Sequence, residues 1–382
     1  MTDRQALERT LEHLAALVSF DTQNPPRDID EGGLFAYVAD QLPDFTVAID
    51  NHGAGCVSLL AVRGQPDTVF NVHMDTVPGT AHWQRDPLSL SIEDGRAYGL
   101  GACDIKGAAA CLLTVAAQTD SPMALLLSSD EEAGDNRCIA NFLRKDHGFR
   151  RAVIAEPTRC EAVLCHRGIN SWAGRFTGEA GHSSQVRALT DSALHQAAHW
   201  VSAAVSWAQA QQREAHFDGL RGVCFNTGTL HGGVKNNVIA PTAELTFGLR
   251  PLPGQSPQAL AQAVHSLHQG EHPVEWTPRY AGPALPDADA QGGFDAALAT
   301  ARAFAEELGL PLGAAVDFWT EAALFSAAGL PAMVFGPGDI AQAHTADEWV
   351  SLDQLGTALA HYQRIFGASD ATKVASAAAG EG

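Results

Sequence analysis

The sequence is short of positive charge. Lys and Arg number 24 against 44 Asp and Glu, which leaves a net charge of −20 and a pI near 5.1. So acidic a surface repels phosphate backbones and anionic lipid headgroups, which excludes nucleic acid and the membrane as main partners. Long apolar runs are also missing: none approaches the ~18 residues of a membrane span, and Asp3, Arg4, Glu8, Arg9 and Glu12 break up the N-terminus, so no signal peptide is expected. Cysteine is sparse and unpaired in pattern. Seven are scattered at positions 56, 103, 111, 138, 160, 165 and 224 with no C-x-x-C, which argues against a disulfide framework or a zinc knuckle. Reduced thiols in a cytoplasmic protein are the expectation. No internal repeat is evident. What the chain does have is 382 residues, 46% of them apolar, enough for two domains or for one domain carrying a large insert.

Thr2 and Gln5 read as a capping box ahead of Leu7, Leu11, Leu14 and Val18, which recur at helical spacing. Short β-rich runs follow at 57–62, 68–73, 123–129 and 152–155, with an apolar helix near 106–117, a pattern that predicts an α/β sheet. Near residue 166 the character changes. A strand in "INSWAGRFTG", a helix near 191–211, strands near 224–230 and 243–249, a helix near 257–269 and a strand near 274–277 give β-α-β-β-α-β, the ferredoxin-like order. The α/β pattern then resumes with a helix at 294–308, the strand "PAMVFG" and a helix near 352–365. The expected division is therefore a first domain built from 1–165 and 281–382, with a disordered tail from about Ala368, interrupted by an insert at 166–280.

Five places set metal-binding or acid–base groups where strands of that sheet should end. In "FNVHMDTVP", His73 and Asp75 leave an apolar strand on one face, and Asp75 is placed to orient the imidazole or to sit beside a metal-bound water. In "GLGACDIKG", glycines flank Asp104, whose two oxygens could bridge two cations. "ALLLSSDEEAGD" runs from a buried strand into Asp130, Glu131 and Glu132; adjacent loop side chains can diverge, so that Glu132 ligates a metal while Glu131 reaches its water. "AVIAEPTRC" ends a strand on Glu156, and "GPGDIAQAHTADEWV" carries His344 after another. Each alone has an ordinary alternative: a hydrogen-bonded buried histidine for His73, the N-cap of the next helix for Asp104, a solvated loop for the acidic run. Topology unites them, because open α/β sheets gather ligands at the carboxyl ends of their strands. His73, Asp104, Glu132, Glu156 and His344 would give each of two divalent metals one histidine, one terminal carboxylate and a shared Asp104 oxygen, with room for a water. With Asp75 and Glu131 the site collects five acids, and two divalent ions return most of that charge.

"HMDTVP", "GACDIKG", "DEEAGD", "AEPT" and "GHSS", in this order, resemble the co-catalytic zinc deacylase and peptidase family that includes acetylornithine deacetylase, succinyl-diaminopimelate desuccinylase, aminoacylase and glutamate carboxypeptidase. The resemblance runs from about residue 10 to 365. It implies an α/β zinc-peptidase-like catalytic domain with a mixed sheet, interrupted by a ferredoxin-like α+β lid through which two copies could pair. It implies two divalent ions, zinc or else cobalt, with His73 and Glu156 on one, Glu132 and His344 on the other and Asp104 between them. Glu131 would be the general base and Asp75 the partner of His73. His182 of "GHSS" would reach the substrate carbonyl, in its own chain or in a neighbour's site, and Asn237 and Arg250 of "NNVIAPTAELTFGLR" would hold the substrate carboxylate. "FWTEAALFSAAGLPAMVFGPG" is most similar to the acetylornithine deacetylase branch, where Thr320 and Glu321 would meet the substrate side chain; a closely similar group acts on acetylcitrulline. The implied reaction is hydrolysis of the acetyl amide of N-acetyl-L-citrulline or N-acetyl-L-ornithine, small-molecule substrates of arginine biosynthesis. A dipeptidase, an aminoacylase or a desuccinylase would use the same machinery, and a non-catalytic binding protein of the same fold would lack a ligand or the base. Ala155, where glycine is commoner, and Asp317, Phe318 and Trp319 depart from the family pattern and would reshape the substrate pocket.

Overall fold

The computed structural model describes residues 3–287, 289 and 292–378, with side chains to Gly367. Thr2, expected to cap the first helix, lies outside the described residues, as do the side chains of the tail expected to be disordered from Ala368; the last helix is Leu352–Ala378. The chain divides into two compact units, one of Met1–Leu164, Leu298–Gly313 and Thr320–Gly382, the other of Cys165–Ala297 and Ala314–Trp319. Among the described residues no helix is long and apolar enough to cross a membrane.

The first unit is built on a mixed six-stranded sheet in the order Thr46–Asn51, Val57–Arg63, Met123–Ser128, Thr68–His73, Arg151–Ile154, Ala332–Val334. The first three strands pair antiparallel; from Met123–Ser128 onward the pairs are parallel. Covered on both faces, a parallel strand needs an unbroken apolar run rather than an alternating one, and all six residues of Met123–Ser128 are buried. The helix Gly107–Ala116 is likewise buried along its whole length, packed against Asp3–Ser19 and Leu352–Ala378, and the hydroxyls of Thr10 and Thr114 meet at 2.9 Å. Parallel pairing puts the carboxyl ends of four strands on one edge, each followed by a loop bearing candidate ligands. The helix expected at 106–117 instead begins at Gly107, after a π turn at Ala102–Lys106. Gly101 opens that turn at φ 77°, where a Cβ would come within 2.6 Å of Thr76 Cγ2.

In the second unit an antiparallel sheet runs Cys224–Gly232, Thr242–Arg250, Ile169–Thr177, Val274–Gly282, with the helices Ala193–Glu214 and Pro257–His265 against it. This is the ferredoxin-like fold, with Trp200, Phe176, Phe247, Leu249 and Val264 in its core. The last strand passes Thr277 and continues to Gly282. Pro278 does not stop it, because this is an edge strand and its register shifts at the proline. Asp317 and Trp319, which sequence could not place, are engaged within this unit: Arg167 Nε donates to Asp317 Oδ1 at 2.6 Å, and Trp319 Nε1 donates to the Pro283 carbonyl at 3.0 Å.

Candidate metal centre

His73 is the last residue of its strand and is 2% exposed. Its Nδ1 donates to the Asp75 carbonyl at 3.1 Å, which fixes the tautomer and turns Nε2 toward Asp104 Oδ1 at 3.1 Å and Glu156 Oε1 at 3.8 Å. His344 Nε2 lies 3.0 Å from Glu132 Oε1 and 3.5 Å from the other Asp104 oxygen, Oδ2. Asp104 thus presents one oxygen to each histidine. Two sets of possible ligands result, His73, Asp104 and Glu156, and Asp104, Glu132 and His344, each with its donor atoms within 4.8 Å of one another. The alternative reading of Asp104 as a helix N-cap is not what the fold shows: it lies inside the π turn, the following helix has Lys106 at its N-cap position, and no side chain caps it.

Of the three adjacent acids, Asp130 and Glu132 have separate side-chain partners, Glu132 in His344 at 3.0 Å. Asp130 turns inward and accepts the backbone N–H groups of Arg137 (2.6 Å) and Cys138 (3.1 Å), which stabilises the start of the helix Arg137–Leu143. The loop carrying the other two is held by Asp75, whose Oδ1 accepts from Glu131 N at 3.3 Å and whose Oδ2 accepts from Glu132 N at 3.0 Å and Asn24 Nδ2 at 2.8 Å. Asp75 therefore grips the backbone of the glutamates as well as facing His73, a role that spacing did not suggest. Nor did anything in "TQNPPRD" single out Asn24.

The electrostatics fit a dinuclear cation site. Burial, reinforced by Glu132, Glu321 and Asp75, pushes the Glu131 carboxyl well above its usual range, and burial with Asp104, Glu131 and Glu132 does the same to Glu156. Burial also raises Glu132, with Asp104 adding to it and the His344 hydrogen bond opposing. His73 would be lowered by burial, yet its bonds to Asp104 and Asp75 lift it well above the ordinary imidazole value. Acids pressed together out of water beside two imidazoles form a set that divalent cations would satisfy.

The remaining expected residues are placed as follows. Thr320 and Glu321 are buried in the first unit. Glu321 Oε2 accepts from Asn71 Nδ2 at 2.6 Å and Ser128 Oγ at 3.0 Å, and burial with the charge of Asp130 raises its carboxyl to about 8. In the second unit the exposed His182 forms a β-bridge with Val238, next to Asn237, and its Nδ1 lies 2.8 Å from Ser184 Oγ. Arg250 is half-buried at the end of Thr242–Arg250.

Residues 69–368 match peptidase family M20/M25/M40. Among curated proteins the chain is 50% identical over 370 residues to the N-acetyl-L-citrulline deacetylase of Xanthomonas campestris pv. campestris, covering 97% of this chain and all of that one. It is 30% identical to the acetylornithine deacetylase of Myxococcus xanthus, over 92% of this chain and 94% of that protein. Two solved structures share the fold. Aminopeptidase PepT of Bacillus cereus has a TM-score of 0.70 and 17% identity over 94% of this chain and 98% of its own. The YXEP protein of Bacillus subtilis, a dinuclear metal binding peptidase, has a TM-score of 0.64 and 14% identity over 95% and 98%.

Proposed function

The chain belongs to peptidase family M20/M25/M40, and from that premise we propose that it is a two-metal amidohydrolase releasing acetate from N-acetyl-L-citrulline, a step of arginine biosynthesis. The chemistry is carried by the two-sided placement of Asp104 between His73 and His344. The substrate is supported by the 50% identity, across nearly the whole chain, to a deacetylase of that compound. N-acetyl-L-ornithine is the second substrate to test, on the strength of the Myxococcus relative.

His73 and Glu156 would hold one ion, Glu132 and His344 the other, and Asp104 both. Imidazole and carboxylate donors suit zinc first, with cobalt as a substitute. Bound there, the pair would acidify a water and polarise the acetyl carbonyl. Glu131 takes a proton from the attacking water as its oxygen bonds to the carbonyl carbon, then gives that proton to the nitrogen as the C–N bond breaks, so that acetate and a free α-amino acid leave. Asp75 maintains the aim of Glu131 and Glu132 through their backbone N–H groups. His182 would donate to the developing oxyanion. Asn237 and Arg250 would bind the α-carboxylate, Arg250 through its bidentate fork. We place Thr320 and Glu321 behind the reacting groups, because both are buried and Glu321 is engaged by Asn71 and Ser128. Seven free cysteines accord with a cytoplasmic site of action. Exposed Val186, Leu189 and Val234 on the second unit support pairing with a second copy.

The test is turnover of acetylcitrulline, acetylornithine, succinyl-diaminopimelate and a dipeptide by purified protein, before and after chelation and after Zn²⁺ is restored. Acetylcitrulline should be the best substrate and activity should follow the metal. Full activity in metal-free protein, or none on either acetylated amino acid with metal present, would refute the proposal.

A further inference from the structure

Glu348, four residues beyond His344, is 2% exposed although it carries a carboxyl group. Its Oε1 accepts the backbone N–H groups of Cys103 at 2.8 Å and Asp104 at 3.0 Å, and its Oε2 accepts that of Gly101 at 3.0 Å. Its own carbonyl accepts Gly99 N at 3.1 Å, and the strand that follows it, Trp349–Ser351, pairs with Arg96–Tyr98. One residue is thus tied at both ends to the segment that carries Asp104.

The first N–H groups of a helical segment have no partner within it and must find one elsewhere. A capping side chain normally comes from the residue just before the helical segment, and here that residue is Gly101, which has none. Here the cap arrives from 244 residues downstream. With Glu348 taking the N–H groups of Gly101, Cys103 and Asp104, both oxygens of Asp104 are free to face the histidines.

We infer that Glu348 is a positioning residue that caps the Asp104 turn from a distance, fixing the shared carboxylate relative to His344 and thereby setting the affinity and spacing of the metal pair. This rests on Asp104 being the shared ligand. In Glu348→Gln an amide NH₂ must oppose at least one of the three N–H donors, whatever its rotamer. Losing such an outer partner typically weakens metal binding ~10–100-fold. That loss is expected in calorimetric Zn²⁺ titration of the metal-free variant. The visible absorption of the Co²⁺-substituted variant should shift in position and intensity, with KM unchanged because Glu348 is buried with both oxygens on backbone N–H groups. Wild-type affinity together with an unchanged Co²⁺ spectrum would overturn the inference.

A second measurement needs no variant. Hydrogen exchange of the Gly101, Cys103 and Asp104 amides in wild-type protein should be equally slow with and without metal, because a carboxylate and not the metal holds them. Rapid exchange in the metal-free protein would overturn the proposal even if Glu348→Gln failed to fold. Wild-type metal stoichiometry keeps the two readings apart: fewer than two ions per chain would refute the dinuclear site, whereas slow exchange would still support the cap.

Discussion

Replacing Asp75 by asparagine alters one atom at the point where three elements meet. Oδ2 holds both Glu132 N and Asn24 Nδ2, so an asparagine would keep its oxygen there and put its NH₂ at the Oδ1 position. That NH₂ would face the N–H of Glu131, formerly bonded at 3.3 Å, and the ring Nδ1 of His73, 3.6 Å away. A hydrogen bond to a charged group contributes about 1.5–3 kcal/mol, equivalent to roughly 10–150-fold in any equilibrium that depends on the bonded arrangement. The Glu131 contact is long, so the lower part of that range is expected, at about tenfold. Its loss should show in two separate quantities. Zinc affinity of the metal-free variant, measured by calorimetric titration, should fall because His73 loses the carboxylate oxygen that faces its Nδ1. The kcat at saturating zinc should fall as well, because Glu131 is no longer held where it must receive a proton. If Asp75→Asn matches wild type in both, Asp75 is a passive neighbour and its grip on the glutamate loop has no functional weight.

Glu131→Gln should retain close to two metals per chain yet lose ~10²–10⁴-fold in kcat, whereas Glu132→Ala should bind metal poorly; equal metal loss in the two would contradict their separate roles. Arg250→Lys should raise KM ~10–100-fold, since an ammonium cannot reproduce the guanidinium fork, and an unchanged KM would remove Arg250 from the carboxylate site. His182→Ala should cost ~10²–10³-fold in kcat with metal retained; if the histidine serves a neighbouring copy, mixing that variant with Glu131→Gln restores activity, and mixed dimers that form but stay inactive rule the exchange out. Glu321, raised to about 8, contributes stability that is complete below the ordinary carboxylate range and is lost as pH climbs through its folded value. In metal-free protein the Tm of Glu321→Gln should therefore gain on wild type between about pH 5 and about pH 9, and a pH-independent difference would refute this. A rise in KM for acetylcitrulline in the same variant would return Glu321 to the substrate pocket.

The sequence by itself determined which local segments could carry the chemistry and the order in which the elements run. Strands such as Met123–Ser128 announce themselves because full burial demands a continuous apolar run, and the residues at or just past their ends, His73, Asp75, the acidic triplet and Glu156, are then marked by position alone. The β-α-β-β-α-β order of the second unit was legible for the same reason, through its alternating strands and amphipathic helices. Thr46–Asn51 escaped notice because no residue of this edge strand is fully buried, so burial left little period to read, and Ala322–Ala327 because six residues are too few to show one. Other features were decided only when the chain closed in three dimensions. Periodicity reports which face of an element is buried, not which distant carboxylate meets a given N–H. Hence Asp104 kept the alternative of a helix cap until folding set it inside a turn whose N–H groups Glu348 accepts, and nothing local announced that Asn71 and Ser128 would donate to Glu321, that Arg137 and Cys138 would donate their N–H groups to Asp130, or that Asp75 would accept those of Glu131 and Glu132. These are long-range hydrogen bonds, and only tertiary structure pairs the donors with their acceptors.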